Sequence, residues 1–90
     1  MNKIYVDVPS LGLMERVNKN TARNLYYQGY RIVVTPYKMR LDGPWSRPYL
    51  LRSENPKTED LNMFDRIIRN FEFYNCNSEL GRYAAYYVDM

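Results

Sequence analysis

The sequence contains no histidine and only one cysteine, Cys76. Without histidine, the chain cannot build a Ser–His or Cys–His catalytic pair or a histidine proton shuttle. A single thiol excludes an internal disulfide framework and a cysteine-based zinc site. It also suits a reducing compartment, which predicts a cytoplasmic protein.

Other ingredients of common sites are scarce as well. The four glycines are isolated, so there is no glycine-rich phosphate loop, and no run of carboxylates could hold calcium. No apolar stretch approaches the roughly 20 residues needed to cross a membrane. Cys76 falls near the negative end of a predicted helix with no base to activate it, which predicts a packed or inert thiol. We therefore expect a protein that is not an enzyme and uses no cofactor, no metal and no membrane.

The residues that are abundant have an uneven distribution. The net charge is +3, but residues 16–52 hold eight basic side chains against Asp42 alone, and residues 53–90 hold four against seven acids. Ten of the 90 residues are tyrosine, a residue type that favours half-buried sites and the centres of interfaces. Apolar residues at 46% and charged residues at 26% are ordinary globular values, so residues 1–90 are expected to form one domain.

Hydrophobic periodicity predicts the element order strand, helix, strand, strand, helix, strand. The predicted elements are a strand at 4–8 ending at Pro9, a mostly helical stretch at 10–28, a strand at 30–34 resuming at 37–41, a returning strand at 47–52, a helix opening at Asn55 and Pro56, and a strand at 83–88. For residues 10–28 the alternative is a turn followed by a shorter helix from Thr21, capped by Asn20.

The second helix carries the strongest pattern, an apolar stripe at spacings of three and four: Leu61, Phe64, Ile67, Ile68, Phe71 and Tyr74. The element order predicts an α+β fold, a single ferredoxin-like βαββαβ domain with an antiparallel sheet and two helices on one face.

A protein-docking surface is predicted on the hairpin between residues 37 and 52. Its tip, Gly43-Pro44-Trp45, would expose the lone tryptophan, and tryptophan, tyrosine and arginine dominate binding energy at interfaces. The predicted binding residues are Tyr37, Lys38, Arg40, Trp45, Arg47, Tyr49 and Arg52. The arginines suit an acidic partner, and self-association through the hairpin edge into a homodimer is a further option.

Binding of single-stranded nucleic acid is the alternative, since bases can stack on aromatic side chains of an open sheet face. The candidate stacking residues are Tyr5, Tyr37, Tyr49, Tyr83 and Tyr87, with charge from Lys38, Arg40, Arg47 and Arg52. Mimicry of DNA by the basic hairpin is disfavoured, and only the acidic second helix is a candidate for that role.

As a whole, this compact, motif-free chain rich in asparagine and tyrosine resembles small phage-encoded inhibitors, among them the anti-CRISPR proteins. The resemblance is one of overall style and transfers no functional residue. It implies stoichiometric inhibition, in which the domain docks on a host nuclease or surveillance complex, a nucleic-acid-processing partner, and blocks it without turnover.

Overall fold

The computed structural model describes residues 3–8, 11–39 and 48–89. Along the chain the elements are strands β1 (Ile4–Val8) and β2 (Gly12–Val17), helix α1 (Lys19–Tyr26), strands β3 (Ile32–Pro36) and β4 (Tyr49–Leu51), helix α2 (Met63–Asn75) and strand β5 (Ala84–Asp89). The predicted α+β class is confirmed, and the described residues form five strands where four were predicted. Neither described helix is long and apolar enough to cross a membrane.

All five strands form one antiparallel sheet in the order β1-β2-β5-β3-β4. A ferredoxin-like sheet would have the first and third strands of its βαββαβ unit at the centre and the last strand at an edge. Here β5 lies between β2 and β3. The predicted ferredoxin-like topology is therefore wrong in its strand order.

The central position of β5 follows from its residue types. Ala85, Tyr86, Tyr87 and Val88 are all buried, so consecutive side chains on both sides of the strand are covered. A strand that is apolar on both sides belongs inside a sheet, whereas an edge strand exposes one row of backbone groups. β4 has three residues and lies at an edge.

Residues 12–17 were predicted to be helical but form β2. Gly12 has a φ of +86°, which glycine adopts without strain, and the chain turns back there so that Val8 pairs with Gly12. Met14 then lies between Val6 of β1 and Asp89 of β5 and is fully buried. The predicted alternative, a shorter helix in this region, is closer to the observed structure, but a strand and not a turn precedes that helix.

The N-terminus of α1 is capped by Asn18, not by Asn20 as predicted. The Asn18 side-chain oxygen accepts a hydrogen bond of 2.8 Å from the backbone N–H of Thr21, one of the first N–H groups that the helix leaves without a partner. The helix ends at Tyr26, and the turn that follows it contains Gly29, which has a φ of +92°.

The second helix also begins later than predicted. The Asn55 and Pro56 region forms turns, held by the Thr58 N–H bonded to the Asn55 carbonyl, and α2 starts at Met63. Leu61 of the predicted stripe therefore lies before the helix and is exposed. The last turn of α2 exposes Tyr74, the other end of that stripe.

Both helices pack on one side of the sheet, as predicted. Their buried contacts with β3, β4 and β5 form the main core, which consists of Ala22, Tyr26, Ile32, Val34, Leu51, Phe64, Ile68, Phe71, Tyr86 and Val88. The Phe64 ring lies between the rings of Tyr26 and Tyr86, with centroids 5.5 Å and 6.1 Å away. This ring joins both helices to the centre of the sheet.

The opposite side of the sheet is buried at its centre as well. Val8, Met14, Val33, Ala85 and Tyr87 form a second apolar cluster there. The nucleic-acid hypothesis required an open sheet face, and this face is closed around β3 and β5.

Candidate docking surface

The structure does not gather the seven predicted binding residues into one surface. Arg40, Trp45 and Arg47 lie outside the described residues, so the exposure of Trp45 stays a prediction. Tyr37 and Lys38 form a turn directly after β3, and Arg52 follows β4 at the opposite end of these two antiparallel strands. Four of the seven residues are described, and they lie in three separate places.

Tyr37 and Lys38 are held mainly by the segment that precedes β5. The N–H of Tyr37 donates to the Tyr83 carbonyl at 3.0 Å, and the N–H of Lys38 donates to the Leu80 carbonyl at 2.8 Å. The Tyr37 ring lies over Gly81, and the Lys38 ammonium is 5.7 Å from that ring. The Tyr37 side chain therefore packs in part within the protein, where it connects the turn after β3 to the segment before β5.

Arg52 is also engaged within the molecule. Its Nε donates to the Gly29 carbonyl at 3.0 Å, which ties the end of β4 to the end of α1. Nearby, Arg31 binds both carboxylate oxygens of Asp89 at 2.8 Å and 2.9 Å. The charges of Arg31, Asp89 and Arg52 are thus paired or bound to backbone.

The five tyrosines predicted to stack bases do not share a face. Tyr87 is buried in the cluster on the side opposite the helices. Tyr5 and Tyr49 belong to the helix side, since their cross-strand partners continue to Val88 and Val34. Tyr37 and Tyr83 lie in the loops outside the strands. Together they do not form a continuous stacking platform.

The most exposed aromatic side chains of the described chain lie on α2. Phe73 is 79% exposed and Tyr74 is 78% exposed. Phe73 follows the fully buried Phe64 by nine residues, which is two and a half helical turns, so it projects from the opposite side of the helix. The two rings contact each other edge to face, with centroids 5.0 Å apart.

Basic and amide side chains surround these rings. Arg69 precedes Phe73 by four residues and is its neighbour along the helix surface, and Arg66 lies one turn further back. We call Arg66, Arg69, Asn70, Phe73 and Tyr74, all exposed, the α2 outer surface. Arg66 is 3.2 Å from Asp60, and Arg69 forms no ion pair or hydrogen bond with the residues the structure describes.

The acids of α2 point away from this surface. Asp65 binds Arg23 of α1 at 2.8 Å and lies 3.8 Å from Lys19. Glu72 accepts a hydrogen bond of 3.0 Å from the Ala84 N–H at the start of β5. The second helix thus presents arginine and aromatic rings outward, and the predicted option of DNA mimicry by an acidic helix surface has no support in this arrangement.

A shallow groove adjoins the α2 outer surface where α2 meets β4. Its lining residues are Tyr49, Ile67, Asn70, Phe71, Tyr74 and Asn75. The Tyr49 ring is tilted against the Phe71 ring, with centroids 5.7 Å apart. Of the predicted binding residues that the structure describes, Tyr49 is therefore the one that lies beside an exposed ring of this surface, that of Tyr74.

The described residues do not assemble a catalytic or metal centre that we can identify. No group of three acids, cysteines or histidines among them is close enough to hold a metal ion. Partial burial raises the pKa of the Cys76 thiol, and the Glu72 carboxylate raises it further. A thiol with a raised pKa is a poor nucleophile at neutral pH.

Two tyrosine hydroxyls make the stability of the fold decrease at alkaline pH. Burial raises the pKa of Tyr86 far above 10.0, with a further contribution from Glu72, and burial also raises the pKa of Tyr26. The folded state therefore keeps these protons to a higher pH than the unfolded state. The contribution of these protons to the free energy of unfolding is fully present below pH 10.0 and decreases as the pH rises above that value.

We expect the urea concentration at the unfolding midpoint of the wild-type protein to decrease as the pH is raised from about 9 to about 11. The decrease should be smaller for Tyr86→Phe. The phenylalanine variant lacks the hydroxyl whose ionisation opposes folding. Tyr83→Phe, at an exposed position before β5, is the matched control. A Tyr86→Phe profile that coincides with the wild-type profile would contradict this assignment.

No protein-family model, curated protein or solved structure matches this chain, so the comparisons assign it to no family. The sequence patterns described above did not indicate the α2 outer surface, because for the second helix they concern only the apolar stripe and the acidic character. A signal for it was present. Phe73 stands half a turn away from the stripe of Phe64, Ile68 and Phe71, and an aromatic residue on a polar helix face is unusual.

Proposed function

We propose that this chain is a non-enzymatic docking domain, which binds an acidic protein surface through the α2 outer surface and acts by stoichiometric occupancy. The observation that carries the proposal is the pair Phe73 and Tyr74, almost fully exposed on a helix whose opposite side is packed into the core. Aromatic side chains held on a rigid element lose little conformational freedom on binding and act as interface anchors.

Charge supports an acidic partner. Arg69 is the neighbour of Phe73 along the helix surface, and Arg66, which is paired with Asp60, lies one turn further back. The acids Asp65 and Glu72 are bonded to α1 and β5. Arginine on the rim of an interface steers association with carboxylates and adds specificity. The partner that fits has an apolar pocket for the rings and acidic groups around that pocket.

The phage-inhibitor resemblance adds a partner class to this proposal: a host nuclease or surveillance complex, bound and blocked without turnover. A docking domain needs no catalytic group, and the raised pKa of the Cys76 thiol is consistent with such a role. The contact would be made with protein, since two arginines give a short track for phosphates and the edge-to-face ring pair leaves little room for successive bases.

Capture from host lysate with immobilised wild-type and variant proteins tests the docking proposal. Phe73→Ala combined with Tyr74→Ala is expected to lose the captured protein. Its affinity should fall at least about 30-fold, because one anchor residue contributes about 2 kcal/mol or more and the contributions of neighbouring anchors do not simply add. Tyr83→Ala, which removes an equally large exposed ring elsewhere, is the control and should retain it.

Capture is repeated after nuclease treatment, and binding of a single-stranded oligonucleotide is titrated in parallel. Retention of the same protein by the double variant would overturn the proposal. So would capture that depends on nucleic acid and is lost from the double variant, since the surface would then bind nucleic acid. Circular dichroism and urea unfolding confirm that each variant is folded before capture.

A further inference from the structure

The two edges of the sheet differ in how well they are protected from pairing with another strand. β4 has three residues, follows Pro48 and is succeeded by Arg52, whose side chain is bonded to Gly29. A short edge next to proline is a poor template for a further strand. β1 at the other edge has five residues, and its Ile4 and Tyr5 side chains are 55% and 44% exposed.

The direction of the backbone groups in β1 follows from its turn with β2. The Val8 carbonyl accepts a hydrogen bond of 2.9 Å from the Leu11 N–H, so Val8 turns its backbone groups toward β2. Backbone direction alternates along a strand. The N–H and C=O groups of Tyr5 and Asp7 therefore face away from β2, toward the side of β1 on which no described strand pairs.

The side chains of β1 and the preceding lysine form a sequence that is complementary to itself. If two copies pair antiparallel with Tyr5 opposite Tyr5, then Lys3 of one copy lies opposite Asp7 of the other, and Ile4 lies opposite Val6. Each pair matches in chemistry: two opposite charges, two apolar chains and two aromatic rings. Such cross-strand pairs stabilise an antiparallel ladder.

The charged side chains at the two ends of this segment, Lys3 and Asp7, are accessible for such pairing. The Lys3 ammonium is exposed and lies 3.8 Å from the nearest oxygen of Glu15, beyond ordinary hydrogen-bond distance. Asp7 is exposed. Edge strands commonly carry charges that repel a second strand, but here antiparallel pairing of identical strands brings opposite charges together.

We propose that a second copy of this chain binds along β1, antiparallel and with its two-fold axis at Tyr5, so that two five-stranded sheets become one continuous sheet. Tyr5 of each copy exchanges both backbone hydrogen bonds with Tyr5 of the other, and the Lys3 and Asp7 backbones extend the ladder on either side. A two-fold contact uses the same patch twice, which is what a self-complementary strand provides. The contact excludes water from Ile4 and Tyr5.

This inference does not rest on the docking proposal. The α2 outer surface contributes no residue to the β1 edge, so a dimer through β1 presents two copies of that surface. Loss of partner capture in the Phe73 and Tyr74 double variant would leave the dimer intact, and loss of the dimer would leave the α2 surface intact. The two experiments therefore succeed or fail separately.

Sedimentation velocity at low ionic strength, from about 1 µM to about 1 mM protein, tests the dimer. The wild-type protein is expected to pass from monomer to dimer across this range. Lys3→Glu and Asp7→Lys should each weaken the dimer about ten-fold or more, because each variant places like charges opposite each other twice in its own dimer.

An equimolar mixture of the two variants should restore the wild-type affinity. In the mixed dimer the introduced carboxylate at position 3 faces the introduced ammonium at position 7, and the two native charges face each other. Lys57→Glu, at an exposed position outside the sheet, makes the same change in net charge as Lys3→Glu and is expected to dimerise like the wild type. A chromatographic check of the folded state of each variant precedes the measurement.

Three results would each overturn the inference. The wild-type protein could stay monomeric throughout the range. Lys57→Glu could weaken the dimer as much as Lys3→Glu does, which would show an effect of net charge alone. The mixture could form dimers with no higher affinity than either variant alone, which would show that positions 3 and 7 do not face each other across the contact.

Discussion

Replacing Phe64 with alanine is expected to lower the free energy of unfolding by about 3 to 5 kcal/mol, the usual loss for a fully buried phenylalanine. The Phe64 side chain is 0% exposed. Its ring packs against Tyr26 of α1 and Tyr86 of β5, and the Arg23 guanidinium carbon lies 6.0 Å from its centroid. The truncation leaves a cavity at the point where both helices meet the sheet. A small domain is stable by only about 5 to 15 kcal/mol, so the loss is a large fraction of the total.

Phe73→Ala on the same helix is the matched control. It removes the same atoms from a side chain that is 79% exposed, and its effect on the free energy of unfolding is expected to stay within about 0.5 kcal/mol. Urea unfolding followed by circular dichroism measures both variants. Equal losses in the two variants, or a larger loss for Phe73→Ala, would contradict the orientation of α2 on which the docking proposal depends.

The sequence predicted the buried side of α2 but not the limits of that burial. Phe64, Ile68 and Phe71 repeat at helical spacing and are buried, as predicted. Leu61 and Tyr74 continue the same spacing but are exposed. Periodicity describes one helix, whereas burial at its ends depends on how far the neighbouring sheet extends. β4 is three residues long and directs two of them, Tyr49 and Leu51, to the side of the helices.

β2 was missed because its apolar residues have helical spacing and no strand-like alternation. Met14 and Val17 continue to Thr21 at helical spacing, whereas Leu13 and Met14 are both apolar and Glu15 and Arg16 are both charged. Tertiary pairing overrode this local pattern: Met14 lies opposite Asp89, 75 positions further along the chain. A local pattern holds no information about such a distant partner, and the same distant pairing displaced β5 from the edge to the interior of the sheet.

The candidate site was only partly predictable, for a related reason. Exposed tyrosine and arginine were expected to form the binding surface, and Tyr49 is exposed in the groove beside α2. Residue type did not show that Tyr37 packs on Gly81 or that Arg52 binds the Gly29 carbonyl. Whether a tyrosine or arginine is available to a partner depends on contacts within the fold, which composition does not specify.

Replacing Gly81 with alanine is expected to lower the free energy of unfolding by about 2 to 4 kcal/mol, for two physical reasons that add. The φ of Gly81 is +102°, a backbone conformation that is strained for any residue with a Cβ atom. A Cβ at this position would also lie 2.5 Å from Cδ1 of the Tyr37 ring. The ring cannot simply be displaced without loss, because the Tyr37 N–H is bonded to the Tyr83 carbonyl and the Lys38 N–H to the Leu80 carbonyl. Urea unfolding measures the effect.

A double-mutant cycle separates the two reasons. In a Tyr37→Ala background the ring is gone, so Gly81→Ala should retain only its backbone strain, about 1 to 2 kcal/mol. Gly12→Ala is the second reference, because Gly12 has a φ of +86° with no atom within 4 Å of its Cβ position, and its loss should match that smaller value. A Gly81→Ala effect that is the same with and without the Tyr37 ring would show that this ring does not pack on the turn before β5. The Tyr37 side chain would then be free to serve a partner, as its residue type first suggested.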